Sequence, residues 1–145
     1  MDAVRVKLLR EGAKAPVYGS AEAAGADLYA CLEQDMVVEP GKTVFVPTGF
    51  AMEVPKGCAG LIYARSGLAC KRALAPANKV GVIDSDYRGE IIVALHNHGT
   101  EAQTISHGER IAQLVITPVI TPAYVISDEL DNTARGIGGF GSTGK

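Results

Sequence analysis

Thr43-Val44-Phe45-Val46-Pro47-Thr48-Gly49-Phe50-Ala51-Met52-Glu53-Val54-Pro55-Lys56-Gly57, closely followed by Gly60-Leu61-Ile62-Tyr63, decides the fold. Short β-prone runs alternate with Pro/Gly turns, and no run is long enough to form a helical face. Met36-Val37-Val38 ahead of Pro40-Gly41 has the same form. Strands of about 4–6 residues at roughly 8–12 spacing, separated by such turns, predict an all-β sandwich or barrel. Toward the N-terminus, Val4-Arg5-Val6-Lys7-Leu8-Leu9 alternates apolar with basic residues and reads as a half-buried strand. Residues 14–26 read as a loop, and Asp27-Leu28-Tyr29-Ala30 enters the next strand. Toward the C-terminus, Glu90 to Leu95 and Arg110 to Ile116 are further strands. Thr117-Pro118-Val119-Ile120-Thr121-Pro122 then carries two prolines that cannot join a central ladder. That segment is expected to be an edge or a crossover, which would put the tail on a neighbouring subunit.

The totals bound the function. A chain of 145 residues, 47% hydrophobic and 21% charged, fits one globular soluble domain. A formal net charge of −2 supplies no basic field for polymeric nucleic acid. No apolar run approaches the ~18–20 residues of a membrane span, and the charged start Met1-Asp2-Ala3-Val4-Arg5 does not read as a signal peptide. Cys31, Cys58 and Cys70 are odd in number and form no C-x-x-C. Reduced thiols in a cytoplasm are the simplest reading.

Three internal stretches carry candidate chemistry. In Ala64-Arg65-Ser66-Gly67-Leu68-Ala69-Cys70-Lys71, Ser66 is a plausible N-cap of one or two helical turns. Arg65, the Ser66 hydroxyl and the N–H groups of Ser66 and Gly67 would then converge on an anion. The plainer reading is an ordinary capped turn. In Asn78 to Ile92, Gly81 and Gly89 suggest a hairpin whose backbone lets a ligand approach closely. Asp84 and Asp86 would face the same way if extended, which fits general-base or metal chemistry, although Asp-x-Asp is often only a turn. Asp27 reads first as a turn-capping residue and second as an acid beside a metal–phosphate site. Gln113 is the polar exception in its strand, either a core hydrogen-bonder or a ligand contact. His96-Asn97-His98 could ligate metal from a strand, but no third ligand is evident and Gly99-Thr100 reads as a turn.

The final segment, Arg135-Gly136-Ile137-Gly138-Gly139-Phe140-Gly141-Ser142-Thr143-Gly144-Lys145, is no core element. Its glycines have nothing to bury and lose the most entropy on ordering. Backbone N–H groups, the Ser142 and Thr143 hydroxyls and Arg135 can hold phosphate oxygens, and Phe140 offers a face to a base. A nucleotide lid and a disordered terminus are the two readings. Gly139 to Lys145 also fits G-x-x-x-x-G-K, but a P-loop needs a following Ser or Thr and a helix, and the given chain stops at Lys145.

Taken together, five ordered motifs resemble those of the trimeric dUTPases. They are Ala24-Gly25-Ala26-Asp27-Leu28, Arg65 within Ala64 to Ala69, Asn78 through Gly89, Gly108-Glu109-Arg110-Ile111-Ala112-Gln113-Leu114, and Arg135 through Gly144. The resemblance implies a jelly-roll-like β-clip subunit with at most one short helix. It implies a catalytic domain over residues 1–134 and a flexible Gly-rich closing arm over 135–145. It also implies a cytoplasmic homotrimer whose sites are shared between subunits, hydrolysing dUTP to dUMP and pyrophosphate with Mg²⁺. That reaction keeps uracil out of DNA and supplies dUMP for thymidylate synthesis. By resemblance, Asp84 would orient and deprotonate the attacking water, and Asp27 would meet the metal through water. Arg65, Ser66, Gly67, Gln113, Arg135, Ser142 and Thr143 would bind phosphates. Asn78, Gly81, Val82, Ile83 and Ile92 would read the uracil, Tyr87 would underlie the deoxyribose and disfavour a 2′-hydroxyl, and Phe140 would cover the base. Ala26 stands where the family often has a bulkier residue, which affects local packing.

Three alternatives share the scaffold. A dCTP deaminase would need a differently arranged base site with a catalytic Glu. A bifunctional deaminase–hydrolase and a non-catalytic nucleotide-binding module are the others. The pattern Gly81-Val82-Ile83-Asp84 and the complete arm favour the hydrolase.

Overall fold

The computed structural model describes residues 3–142 and 144. The deciding stretch forms β5 (Thr43–Pro47) and β6 (Phe50–Glu53), with Gly49 turning between them at φ +75°. Glycine is required there twice over. The φ is left-handed, and a Cβ would stand 2.7 Å from the Ala13 Cβ and 2.9 Å from the Cys31 sulfur. The Gly49 N–H donates to the Glu90 carboxylate at 2.7 Å, so the turn is pinned to a distant residue.

A five-stranded antiparallel sheet forms one layer. Its order is β2 (Val17–Tyr18), β3 (Ala26–Tyr29), β12 (Arg110–Pro118), β7 (Cys58–Tyr63) and β9 (Gly81–Ile83). A second, three-stranded sheet places β10 (Ile92–Asn97) between β5 and β8 (Leu74–Pro76). Two ribbons complete the body, β1 (Arg5–Leu8) with β6, and β4 (Met36–Val38) with β11 (Gln103–Ile105). The only helix among the described residues is α1 (Ser66–Arg72). Leu28, Phe50, Leu74, Ile91, Leu95 and Ile111 lie in the core cluster, each 0–1% exposed. Full burial of such side chains contributes about 1.5–3 kcal/mol each relative to exposure. Asn97 is the buried polar residue of β10. Its amide donates to the Val38 and Glu101 carbonyls at 2.8 and 2.7 Å, and its oxygen accepts from the Gly99 N–H at 2.9 Å. Every group of the buried amide therefore has a partner, which fixes the turn after β10.

Four local expectations change. Ser66 is the first helical residue; Arg65 occupies the cap position with extended dihedrals and makes no side-chain cap bond. The strand expected from Glu90 begins at Ile92, because Glu90 and Ile91 are engaged instead by Gly49 and Phe50. Pro118 belongs to β12, the sheet's central strand, as the Cα partner of Cys58. It is tolerated because β3 pairs β12 only as far as Leu114. Beyond that residue one side of β12 is open. The Val119 N–H donates to the Gly57 carbonyl, so by alternation the Pro118 nitrogen points to the open side. Asp84 and Asp86 are not on one extended face, since β9 ends at Ile83 and the Tyr87 N–H closes a turn on the Asp84 carbonyl at 3.2 Å.

Ala26 is 3% exposed and borders an apolar cavity of about 560 Å³ with Val4, Val6, Met52, Leu114 and Ile116. A small side chain at this position leaves space rather than filling it. From Val119 onward the chain leaves the body without strand or helix. Ile120, Tyr124, Ile126 and Leu130 are 92%, 96%, 98% and 89% exposed.

Candidate active site

The turn after β9 gathers one group of the expected residues; it is not the expected hairpin, because β9 pairs with β7 while β10 pairs with β5 and β8 in the other sheet. Gly81 pairs with Ile62 of β7, and a Cβ on Gly81 would lie 3.1 Å from the Ile62 Cβ and 3.5 Å from the Asn78 side-chain nitrogen. The glycine thus lets the strand lie close to β7 with Asn78 alongside. Asn78, Gly81, Val82, Ile83 and Ile92 line one cavity of about 290 Å³, together with Phe45. A neutral amide beside exposed strand backbone can offer both a donor and an acceptor to one base edge.

An adjoining cavity of about 210 Å³ is lined by Val82, Ile83, Asp84, Tyr87, Glu90 and Ile92. Asp84 is exposed there. The Tyr87 hydroxyl donates to the Glu90 carbonyl at 2.9 Å. Its ring lies directly over Gly89, where a Cβ would collide with the hydroxyl oxygen and stand 2.6 Å from Cζ. Gly89 is therefore a packing requirement of Tyr87. The turn is further held by the Arg88 guanidinium, which donates to the Ser85 and Tyr87 carbonyls at 2.8 and 2.9 Å. Glu90 ties this turn to the rest of the body through Gly49 and an ion pair with Arg10. That carboxylate raises the Arg10 pKa above the ordinary guanidinium value. Gly89→Ala is expected to push the Tyr87 ring aside, break its hydroxyl bond to the Glu90 carbonyl and lower the melting transition by a few degrees. A melting curve of the variant beside wild type checks this.

A second group assembles between α1 and β12. Asp27 and Gln113 are Cα partners across β3 and β12. Asp27 is neither a cap nor a free acid. The Arg65 Nε donates to one of its oxygens at 2.8 Å, and the Arg110 guanidinium reaches the other at 3.4 Å. The Gln113 amide nitrogen donates to the Ala64 carbonyl at 2.9 Å. Its oxygen lies against Gly25, where a Cβ would approach to 2.7 Å. Gln113 is thus a structural hydrogen-bonder through its amide nitrogen. Ser66 and Gly67 are exposed at the start of α1. Arg65, Gly67, Leu68, Gly108, Glu109, Arg110 and Tyr29 line an open cleft of about 520 Å³. Glu109 and Arg110 are the charged members of this cluster that sequence reasoning gives no role, and their signal is the Gly108-Glu109-Arg110 motif.

These two groups share no lining residue within the chain. The arm joins neither. Arg135 donates to the Gly138 carbonyl at 2.7 Å, and the Ser142 N–H to the Gly139 carbonyl at 3.0 Å, so the arm folds into turns on itself. Phe140 is wholly exposed, at φ 48°. Thr143, expected to bind phosphate, and Lys145 lie outside the described residues. The His96 Nδ1 is engaged by the Thr43 hydroxyl at 2.9 Å, and the His98 ring meets His96 edge-on at 4.5 Å. Desolvation, with His96 and Lys79 nearby, lowers the His98 pKa and favours its neutral form. Cys31, Cys58 and Cys70 are free thiols.

Known proteins share this fold. A family model described as dUTPase matches residues 11–144. A deoxyuridine 5'-triphosphate nucleotidohydrolase of Desulfitobacterium hafniense is 50% identical over 149 aligned residues, covering 99% of each chain. One from Hahella chejuensis is 48% identical, covering 89% of this chain and 86% of that one. Among solved structures, a variant dUTPase of Staphylococcus bacteriophage 80alpha with dUpNHpp matches at TM-score 0.92 and 28% identity, covering 100% of both chains. A variant dUTPase from phage phi11 of S. aureus, described with a structural Mg(II) ion, matches at TM-score 0.82 and 25% identity, covering 90% of this chain and 100% of that one. The all-β body with one short helix is the architecture of these enzymes, and the chain belongs to the dUTPase family.

Proposed function

We propose that this chain hydrolyses dUTP to dUMP and pyrophosphate, with Asp84 orienting and deprotonating the water that attacks the α-phosphorus. The observation that carries the assignment of roles is the side-by-side pair of cavities along β9 and the turn that follows it. One holds Asn78 and exposed strand backbone, the other Asp84 and Tyr87, with Val82, Ile83 and Ile92 common to both. Base, sugar and attacking water are then handled by one continuous element. Asn78 and the Gly81–Ile83 backbone read the uracil edge, and Tyr87, held over Gly89, lies under the deoxyribose. Arg65, Ser66, Gly67 and Gln113 bind the triphosphate. Arg135, Ser142 and Thr143 of the arm close over its outer phosphates, and Phe140 covers the base. Residues 1–134 are the catalytic domain and 135–145 its closing arm.

The metal expectation can be tested against Asp27. Each of its oxygens already accepts from a guanidinium, Arg65 on one and Arg110 on the other. A carboxylate oxygen keeps a second lone pair, so a metal-bound water can still reach it, whereas direct ligation would displace an ion pair. Asp27 therefore fits the water-mediated contact. Mg²⁺ bound to the substrate's own phosphates supplies charge neutralisation on the triphosphate. The chain's residues do the rest: Arg65 adds positive charge, Asp84 takes the proton, and the closed arm excludes bulk water.

A homotrimer with shared sites accounts for three features. The two residue groups line separate cavities. The arm's ligand-type residues face solvent. The exposed apolar side chains Ile120, Tyr124, Ile126 and Leu130 call for a covering surface. One chain would supply Asn78 and Asp84, a second Arg65 to Gly67 and Gln113, and the third the arm. The three free thiols fit a cytoplasmic enzyme. Mixing Asp84→Asn chains with chains lacking residues 135–145 tests the sharing. Random trimers at equal ratio should regain activity at about a quarter of the sites, because base and arm come from different copies. No recovery, with mixed trimers verified by mass, would mean that each site takes both from one chain.

A further inference from the structure

We infer that Arg72 is a positioning residue for the triphosphate, clamping the two walls of the Arg65 cleft together; this rests on the phosphate role proposed for that cleft. Helix α1 has seven residues, a single buried side chain, Leu68, and no side-chain cap. Little in the helix itself therefore fixes where its first turn, with Ser66 and Gly67, sits against β12.

Arg72 supplies the missing restraint from the last turn. Its Nε donates to the Gln103 side-chain oxygen at 2.9 Å, and one Nη donates to the Glu109 carboxylate at 2.9 Å. The other Nη donates to the Thr104 carbonyl. Glu109 is itself held, since its second oxygen accepts from the Ser106 N–H at 3.1 Å and its carbonyl accepts from the Ala30 N–H at 2.9 Å. Arg65, Gly67 and Leu68 line one side of the cleft, and Gly108, Glu109 and Arg110 the other. The Arg72–Glu109 pair ties these two sides directly, and Arg110 next in sequence reaches Asp27, the partner of Arg65. Three acceptors in three directions match the rigid guanidinium fork. A lysine ammonium is a point charge on a flexible stem and cannot hold all three in register. The base and sugar cavities contain none of these residues. The clamp should therefore act on phosphates and leave base binding alone.

The experiment compares dUpNHpp and dUMP binding to full-length wild type, Arg72→Lys, Glu109→Gln and the double variant, with the melting transition followed for each. Arg72→Lys should weaken dUpNHpp about tenfold, the scale of losing one charged hydrogen bond, and leave dUMP affinity unchanged. Glu109→Gln should act in the same direction, and the double variant should lose less than the sum of the two. Equal losses for both ligands, unchanged dUpNHpp affinity, or a lowered melting transition as the sole effect would each overturn the clamp. Failure of the wild type to hydrolyse dUTP would instead overturn the proposed function beneath it.

Discussion

Asp84→Asn should lower dUTP turnover by about 10²–10⁴-fold, the usual contribution of a general base, while dUpNHpp affinity stays near wild type. The carboxylate is exposed at the turn after β9, beside Ile83 and Tyr87. The turn is held by main-chain and side-chain bonds that Asn leaves intact, namely Tyr87 N–H to the Asp84 carbonyl, Tyr87 hydroxyl to the Glu90 carbonyl, and Arg88 to Ser85. Asn matches Asp in shape and can still orient water, but it cannot accept a proton. The loss should therefore fall on kcat and not on KM. Single-turnover rates and equilibrium binding of the non-hydrolysable analogue separate the two. A variant within a few-fold of wild type in kcat would remove Asp84 as the base.

Deleting residues 135–145 should leave the body folded and reduce kcat/KM by about 10²–10⁴-fold. The core cluster ends at Ile116, and the hydrogen bonds recorded for residues 135–142 stay within the arm's own turns or reach back to Thr133. The melting transition should thus be nearly unchanged. The activity loss would follow from losing the two substrate contacts proposed for the arm. Stacking by an aromatic such as Phe140 contributes about 1–3 kcal/mol, and a charged hydrogen bond from Arg135 about 1.5–3 kcal/mol. Their sum, about 2.5–6 kcal/mol, corresponds to that range of rate. Kinetics and calorimetry on the truncated chain check both halves, and a fully active truncation would contradict the lid.

The β class was legible because β-branched and aromatic runs between Pro/Gly turns leave little alternative. Val17–Tyr18, Leu74–Pro76 and Gln103–Ile105 were not, since segments of two or three residues have no period to read and these lack the apolar run that marks Met36–Val38. The helix start was off by one residue for a local reason: Ser66 is a good cap by type, but Arg65 takes the cap geometry. The candidate site divided along the same line. Asn78 to Ile92 is contiguous, so its grouping could be read directly. Asp27 with Arg65, and Arg72 with Glu109, meet only through the register of β3, β7 and β12. Neither partner carries a local signal of the other. Pro118 taught a positional lesson: a central strand tolerates proline where its neighbour on one side has already ended.

The most direct measurement of the central claim is product identification after incubating the purified protein with Mg²⁺ and, separately, dUTP, dCTP, dTTP, UTP and dATP. The account predicts dUMP and pyrophosphate from dUTP and no comparable turnover of the other four. dUTP or dUMP formed from dCTP, or no product from any of them with folded protein in hand, would contradict it.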